Sequence, residues 1–356
     1  MERCVRKTVY ILGAGFSAPT GIPTMADFIS KAKDIDDDGI KELLKKIRVF
    51  SAIKNYCKSD LHNLEEVFSI LAADDLISGS KNAELMKSFI EKTVEFYTPK
   101  IDLTIYENLH SSEYEHNWIN HIINGKYEKI FHFLSRVMLL KFKKEGKEQK
   151  CLKIEKMDWK EHNDIITFNY DKLLENCIEI LNSRALEGSE VFLKPILDKL
   201  HGSVGCNNII PPTWAKMRTD NLEEVWSSAF GKISNADRLV FIGYSLPESD
   251  AYFRYFLKAA LGRAEKLEEI KVACKDEKGI VEKNYKKFFS PVEFKFINKR
   301  WEEIVPGFDL RSLNNQSSDN PPIKKSWWIA ENGPENIFGW GVDTWKEQTS
   351  VAQGRP

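Results

Sequence analysis

The chain is 356 residues long, 42% hydrophobic and 29% charged, a balance that supports a sizeable core in one large or two modest domains. Fifty-two Lys and Arg against 53 Asp and Glu leave a formal charge of −1, which excludes a global electrostatic footprint for nucleic acid or an anionic membrane. Nineteen Gly and 13 Pro exclude collagen-like and low-complexity chains, and no apolar run approaches the roughly 20 residues that cross a bilayer.

Met1 to Lys7 run straight into the strand-like Thr8-Val9-Tyr10-Ile11-Leu12, with neither the apolar stretch nor the cleavage site of an export signal, so the expected compartment is the cytoplasm. Val9 to Leu12 is the first buried strand. It ends in Gly13-Ala14-Gly15-Phe16-Ser17-Ala18, a GxGxxA pattern where a Rossmann-type sheet binds a pyrophosphate on backbone N–H groups. By itself the pattern fits a tight turn without ligand equally well. Pro19, Gly21 and Pro23 postpone a regular helix until near Ala26, leaving a loop that would lie over a bound ligand.

From about residue 30 to 160 the periodicity is that of helices alone. Leu64, Val67, Phe68 and Leu71 form one stripe, with Asn63 as N-cap and Glu66 three residues on. Leu85, Phe89, Val94 and Tyr97 form another, and Ile130, Leu134, Val137 and Met138 a third. The charge runs from Asp34 to Asp38 and from Lys141 to Lys150 read as solvated loops, or alternatively as a partner surface.

The second strand, Ile165 to Phe168, closes on Thr167-Phe168-Asn169-Tyr170-Asp171. Polar side chains at the carboxyl end of a buried strand sit where open α/β sheets bind ligands. Asp171 could equally cap the helix that follows, patterned by Leu173, Leu174, Cys177, Ile178 and Leu181, and Asn169 could be a turn residue. His201 follows in Leu200-His201-Gly202-Ser203, and a lone His is either structural or a proton carrier. Leu239 to Ile242 is the third strand, running into Gly243-Tyr244-Ser245-Leu246-Pro247, a second place for backbone and hydroxyl to meet phosphate or ribose. A helix patterned by Tyr252, Phe253, Phe256, Leu257 and Ala260 precedes candidate strands at Ile270 to Ala273 and Val292 to Ile297. Alternating strands and helices imply a parallel sheet covered on both faces. Past Asn298 a polar linker leads to Trp and Phe positions between Trp327 and Trp345, which suggest a segment that docks on this chain or a partner. The six cysteines lack paired CxxC spacing and read as reduced thiols.

Six landmarks, GAGFS at 13–17, GIP at 21–23, TFNYD at 167–171, LHGS at 200–203, GYSLP at 243–247 and the FIN ending at Asn298, stand in the order and spacing of the sirtuin-like NAD-binding family, which this chain resembles over roughly residues 8 to 30 and 160 to 300. It is most similar to the bacterial branch that hydrolyses NAD, often within antiphage defence. Zinc-containing deacylases place two CxxC pairs after the catalytic His, where here Cys206 stands alone. Their GIPDFR loop is replaced by Gly21-Ile22-Pro23-Thr24-Met25-Ala26-Asp27-Phe28.

The resemblance implies a Rossmann-like sheet of the sirtuin type formed by residues 1–30 and 160–300, a helical insertion at 31–159 and a C-terminal extension at 301–356. It implies an NAD glycohydrolase that releases nicotinamide and ADP-ribose without a metal. Asn169 would orient a water or ribose hydroxyl, His201 would be the general base, and Asp171 would contact the nicotinamide side or fix Asn169. Gly13, Ala14, Gly15 and Ser17 would line the diphosphate, and Gly243 and Ser245 would bind phosphate or ribose. Asn298 would bind the adenosine ribose, with Pro23, Phe28 and Thr167 completing the NAD contacts. A homo-oligomer is expected, and by analogy a partner such as a DNA-translocating ATPase or an Argonaute-like protein. The alternatives are an NAD-dependent protein deacylase or ADP-ribosyltransferase, and a non-catalytic NAD or ADP-ribose sensor.

Overall fold

In the computed structural model of the chain, residues 5–57, 59–61, 63–80, 82–100, 127–145, 151–156, 161–183, 197–213, 220–290 and 292–305 are described. The last five residues of β1 (Arg6–Leu12) are all buried, as expected of a strand covered on both faces. It pairs in parallel with β4 (Glu161–Thr167) on one side and with β6 (Arg238–Ile242) on the other. β5 (Leu197–Lys199) extends the sheet beyond β4, and β7 (Glu269–Ala273) and β8 (Lys295–Ile297) extend it beyond β6. The order β5-β4-β1-β6-β7-β8, parallel throughout, is that of a Rossmann-like, doubly wound α/β sheet. Chain order reverses between β1 and β6, so the carboxyl ends of the central strands are the place for a ligand crevice.

Alternation along the strands feeds two cores. Tyr10, Leu12, Ile165 and Val240 point to one face, where α6 (Glu128–Val137), α7 (Leu173–Ser183) and α11 (Trp301–Ile304) cover them. Val9, Ile11, Ile166 and Phe241 point to the other, beneath α8 (Asp220–Ser234), α9 (Ala251–Leu261) and α10 (Ile280–Phe289). A third core joins α2 (Phe28–Ala32), α3 (Asp38–Val49), α4 (Leu64–Ser78) and α5 (Asn82–Tyr97), and takes in Tyr170, Val204 and Ile209.

Several local expectations change. Residues 30 to 160 are not helical throughout, because β2 (Leu140–Glu145) and β3 (Cys151–Lys156) form an antiparallel pair. Part of the lysine run is therefore strand rather than loop; its alternation of Leu140 and Phe142 with lysines is the period of a pleated strand. One helical turn, α1 (Ala14–Ser17), forms directly after Gly13, and a 3-10 turn at Ala18–Thr20 precedes the irregular stretch. Phe168 lies just past β4, and Val292 to Phe294 precede the short β8. Asn63 caps α4 by accepting from Glu65 N–H at 3.0 Å, but Glu66 accepts from Asp60 N–H at 3.1 Å. The aromatic cluster at 327–345 lies outside the described residues.

Candidate functional site

Thr167 pairs with Lys199 across β4 and β5, and Leu200 N–H donates to the Thr167 carbonyl at 2.9 Å. Asn169 and His201 each follow two residues beyond this pair. They therefore lie just past the carboxyl ends of adjacent parallel strands. Both are buried, Asn169 at 8% exposure and His201 at 5%.

Four expected residues meet in one network. Asn169 Nδ2 donates to the Gly13 carbonyl and to Ser17 Oγ, both at 3.0 Å. With both amide hydrogens spent, its oxygen is the group left to address a ligand. Ser17 Oγ in turn hydrogen-bonds the Asp171 carboxylate, whose Oδ1 also caps α7 by accepting from Leu173 N–H at 3.1 Å. Burial pushes the Asp171 carboxyl above its usual range, against the opposing pull of Lys199 and the Ser17 bond. Lys199 ties the segment together: its ammonium reaches the Asp171 carbonyl, Glu175 at 2.7 Å and Ser203 Oγ at 3.1 Å.

The His201 ring lies between two aromatic rings, Phe168 at 5.2 Å edge-on and Tyr170 at 5.8 Å. Phe168 stacks on Tyr244 at 4.5 Å. Tyr244 OH donates to Asp250 Oδ2 at 2.6 Å, and Tyr170 OH to the Ile210 carbonyl at 2.7 Å. Burial, together with the carboxylates of Asp250 and Glu65, keeps both phenols protonated far above their ordinary range. The imidazole at position 201 thus sits in a packed aromatic setting.

The glycine turn differs from the expected cradle. Gly13 N–H donates to the Ile242 carbonyl at 3.0 Å and Gly15 N–H to the Gly243 carbonyl at 2.9 Å, while Phe16 N–H returns to Gly13 at 2.9 Å. These three donors are spent inside the protein, so what Gly13 and Gly15 contribute is the lack of a side chain. Gly243 has φ +62°, and a Cβ there would stand 2.4 Å from Phe16 N. The turns after β1 and β6 touch backbone to backbone.

The remaining expected contacts scatter. Thr167 Oγ1 is occupied by the Leu12 carbonyl and by Asn169 N–H, so it positions Asn169. Phe28 is buried in the helical core against Phe89 at 5.9 Å, and Pro23 is buried while Ala14 is half-buried. Ser245 is exposed on the loop after β6. The Asn298 amide clamps the backbone of Asp276, accepting from its N–H at 2.8 Å and donating to its carbonyl at 2.7 Å. Lys199, Glu65, Asp250 and Trp301 were not anticipated; only the place of Lys199 beside the His201 motif could have marked it. Among the described residues no group of three or more His, Cys, Asp or Glu is placed to hold a metal.

No family model matches the sequence, and no curated protein matches it. Among solved structures, a Sir2–p53 peptide–NAD+ complex aligns at 14% identity and TM-score 0.33 over 84% of this chain and 90% of that one. A Sir2 complex with the inhibitor EX-527, 2'-O-acetyl-ADP-ribose and deacetylated p53 peptide aligns at 14% and 0.31 over 84% and 91%. Sir2Tm bound to a propionylated peptide aligns at 15% and 0.30 over 84% and 90%. Agreement at that level transfers no residue role.

Proposed function

We propose that the chain cleaves the nicotinamide–ribose bond of NAD and passes the ADP-ribosyl group to water. The observation that supports this reading is the buried Asn169 amide just past β4, bound through its nitrogen to the Gly13 carbonyl and Ser17 in the turn after β1, with His201 buried just past the neighbouring β5. NAD brings its own leaving group, since nicotinamide departs as a neutral molecule, so the protein chiefly has to hold the ribose and stabilise an oxocarbenium-like transition state. The Asn169 amide oxygen, its nitrogen fixed by Gly13 and Ser17, orients the attacking water. His201 takes the proton that water loses, and the ribosyl carbon gains the oxygen as nicotinamide leaves with the electron pair of the broken bond. Asp171 holds Ser17 and thereby the amide. NAD depletion during antiphage defence, by an oligomer of this chain, is the setting the sequence resemblance favours.

The test incubates the purified full chain with NAD and follows nicotinamide by chromatography, with Asn169→Ala and His201→Ala in parallel. Each variant is expected to lose about 10²- to 10⁴-fold in turnover. Equal turnover by all three proteins would remove both residues from the mechanism. NAD loss that requires an added acyl-lysine peptide or acceptor protein would instead mark a transferase, and binding without turnover a sensor.

A further inference from the structure

The helical layer sends two carboxylates to the loops at the ends of the strands. Glu91 on α5 accepts from Gly205 N–H at 2.9 Å, in the turn after His201. Glu65, in the first turn of α4, accepts from Ser249 Oγ at 2.5 Å, in the loop after β6. An acid in a helix's first turn ordinarily stays in water, where it complements the macrodipole. Glu65 is only 6% exposed, and its own N–H is already satisfied by the Asn63 cap. A carboxylate so buried is costly unless it is hydrogen-bonded, so its placement needs a reason beyond capping.

From Ser249 the contacts run unbroken to the imidazole. Asp250 is the next residue and holds Tyr244 OH at 2.6 Å; Tyr244 stacks on Phe168 at 4.5 Å, and Phe168 meets His201 at 5.2 Å. On the other side of His201, Tyr170 holds the Ile210 carbonyl at 2.7 Å, while Ile210 N–H donates to the His201 carbonyl at 2.9 Å. The His201 ring therefore takes its setting from a loop that α4 anchors.

We propose that Glu65 is a positioning residue: by holding Ser249 it fixes the Tyr244–Asp250 loop and, through the Phe168 stack, the plane of the His201 ring. Its part in NAD cleavage rests on the reading given above; the positioning itself does not. The loop is also held from α9 and α10, where Arg254 donates to the Leu246 carbonyl at 3.0 Å and Tyr285 OH to the Tyr244 carbonyl at 2.9 Å, so Glu65 supplies the hold from the helical layer.

The test is NMR of full chain labelled at its histidine rings, with the His201 signal assigned from His201→Gln. Ring currents of Phe168 and Tyr170 make that signal sensitive to the stack. Glu65→Ala and Ser249→Ala are each expected to shift it to about the same place, and the double variant no further, because all three break one link. Glu65→Gln, which keeps an acceptor oxygen for Ser249, is expected to leave it near the wild-type position. With NAD, the two alanine variants are expected to lose about ten- to a hundredfold in kcat with KM nearly unchanged, as misplacing a base would do. Ser249 is exposed, so Ser249→Ala keeps the test open where Glu65→Ala fails to fold. A His201 signal unmoved in Ser249→Ala, or Glu65→Gln no better than Glu65→Ala, would overturn the proposal. A shifted signal in a protein that never releases nicotinamide would instead refute NAD cleavage and leave the positioning intact.

Discussion

A methyl group at Gly243 has nowhere to go. It would sit 2.4 Å from both Gly15 C and Phe16 N, on a backbone already at φ +62°, whereas Gly21, at φ +99°, has nothing within 4 Å. Gly21→Ala should cost only the left-handed strain, about 1–2 kcal/mol. Gly243→Ala adds an overpacked backbone contact and should cost about 2–5 kcal/mol. Urea unfolding of the two variants separates these terms, and equal losses would mean that the turns after β1 and β6 do not touch. A second prediction concerns Asp171. Burial raises its carboxyl above the ordinary range, so the folded state holds that proton more tightly than the unfolded chain does. Its ionised form therefore destabilises the fold once pH rises through the unfolded and then the raised folded value, and the destabilisation is absent below both. Asn keeps the cap on Leu173. Asp171→Asn is thus expected to melt higher than wild type at pH 7, with the gap closing as the pH falls into the carboxylate range; a gap that widens in acid would refute the assignment. At this scale the GxGxxA pattern was legible but its use was not. Local sequence marks where the chain turns tightly, and says nothing of carbonyls that arrive from residues 242 and 243.

The four-residue helix α11 shows what a short element can hold. Glu303 Oε1 accepts from Arg300 N–H at 3.3 Å while Glu303 N–H donates to the Arg300 carbonyl at 3.1 Å, and the Val305 carbonyl accepts from Lys129 Nζ at 2.6 Å. Its Trp301 stacks on Phe16 at 4.4 Å, meets Phe133 at 6.1 Å and donates its indole N–H to the Phe16 carbonyl at 2.9 Å. Trp301 thus clamps the turn that carries Gly13 and Ser17. Trp301→Phe loses mainly the hydrogen bond, about 1 kcal/mol, while Trp301→Ala loses the ring as well, about 3–5 kcal/mol. Denaturant unfolding of both variants checks the order; a Phe variant as damaged as the Ala variant would place the energy in the hydrogen bond. The long parallel strands could be read from sequence because burial on both faces leaves unbroken apolar runs, as in Val9 to Leu12 and Leu239 to Ile242. β5 spans three residues, too few for any periodicity to register, whereas β8 is the last half of the expected Val292 to Ile297 strand. β2 falls in the Lys141 to Lys150 run and β3 follows directly after it, and the many lysines there mask the alternation of a strand. α11 gave no signal at all, since its worth lies in a contact 285 residues away in sequence.

Three cores make up the described molecule, and the candidate site stands where two of them meet. Phe168 belongs to the core beneath α8, α9 and α10, whereas Tyr170, two residues on, belongs to the helical core with Val204 and Ile209. The stretch expected as one insertion is itself divided, because α6 packs into the sheet's other face rather than with α4 and α5. Loosening the helical core should therefore reach the site without passing through the sheet. Phe68 is fully buried there, edge-on to Phe89 at 6.0 Å, and Phe68→Ala should cost about 3–5 kcal/mol of local stability. Native-state hydrogen exchange resolves such sub-global openings. In Phe68→Ala the amides of α4 and α5 should exchange faster, and with them Val204 N–H, which donates to the Tyr170 carbonyl at 3.0 Å, and Ile210 N–H, which donates to His201 at 2.9 Å. The amides of β1 and β6 should change far less. Phe289→Ala, in the core on the opposite side, makes the converse demand: α10 and its neighbours loosen while Val204 and Ile210 keep their protection. Acceleration confined to α4 and α5 would mean that the helices open without disturbing the His201 turn, and that the shared side chains of Tyr170, Val204 and Ile209 carry no coupling between them.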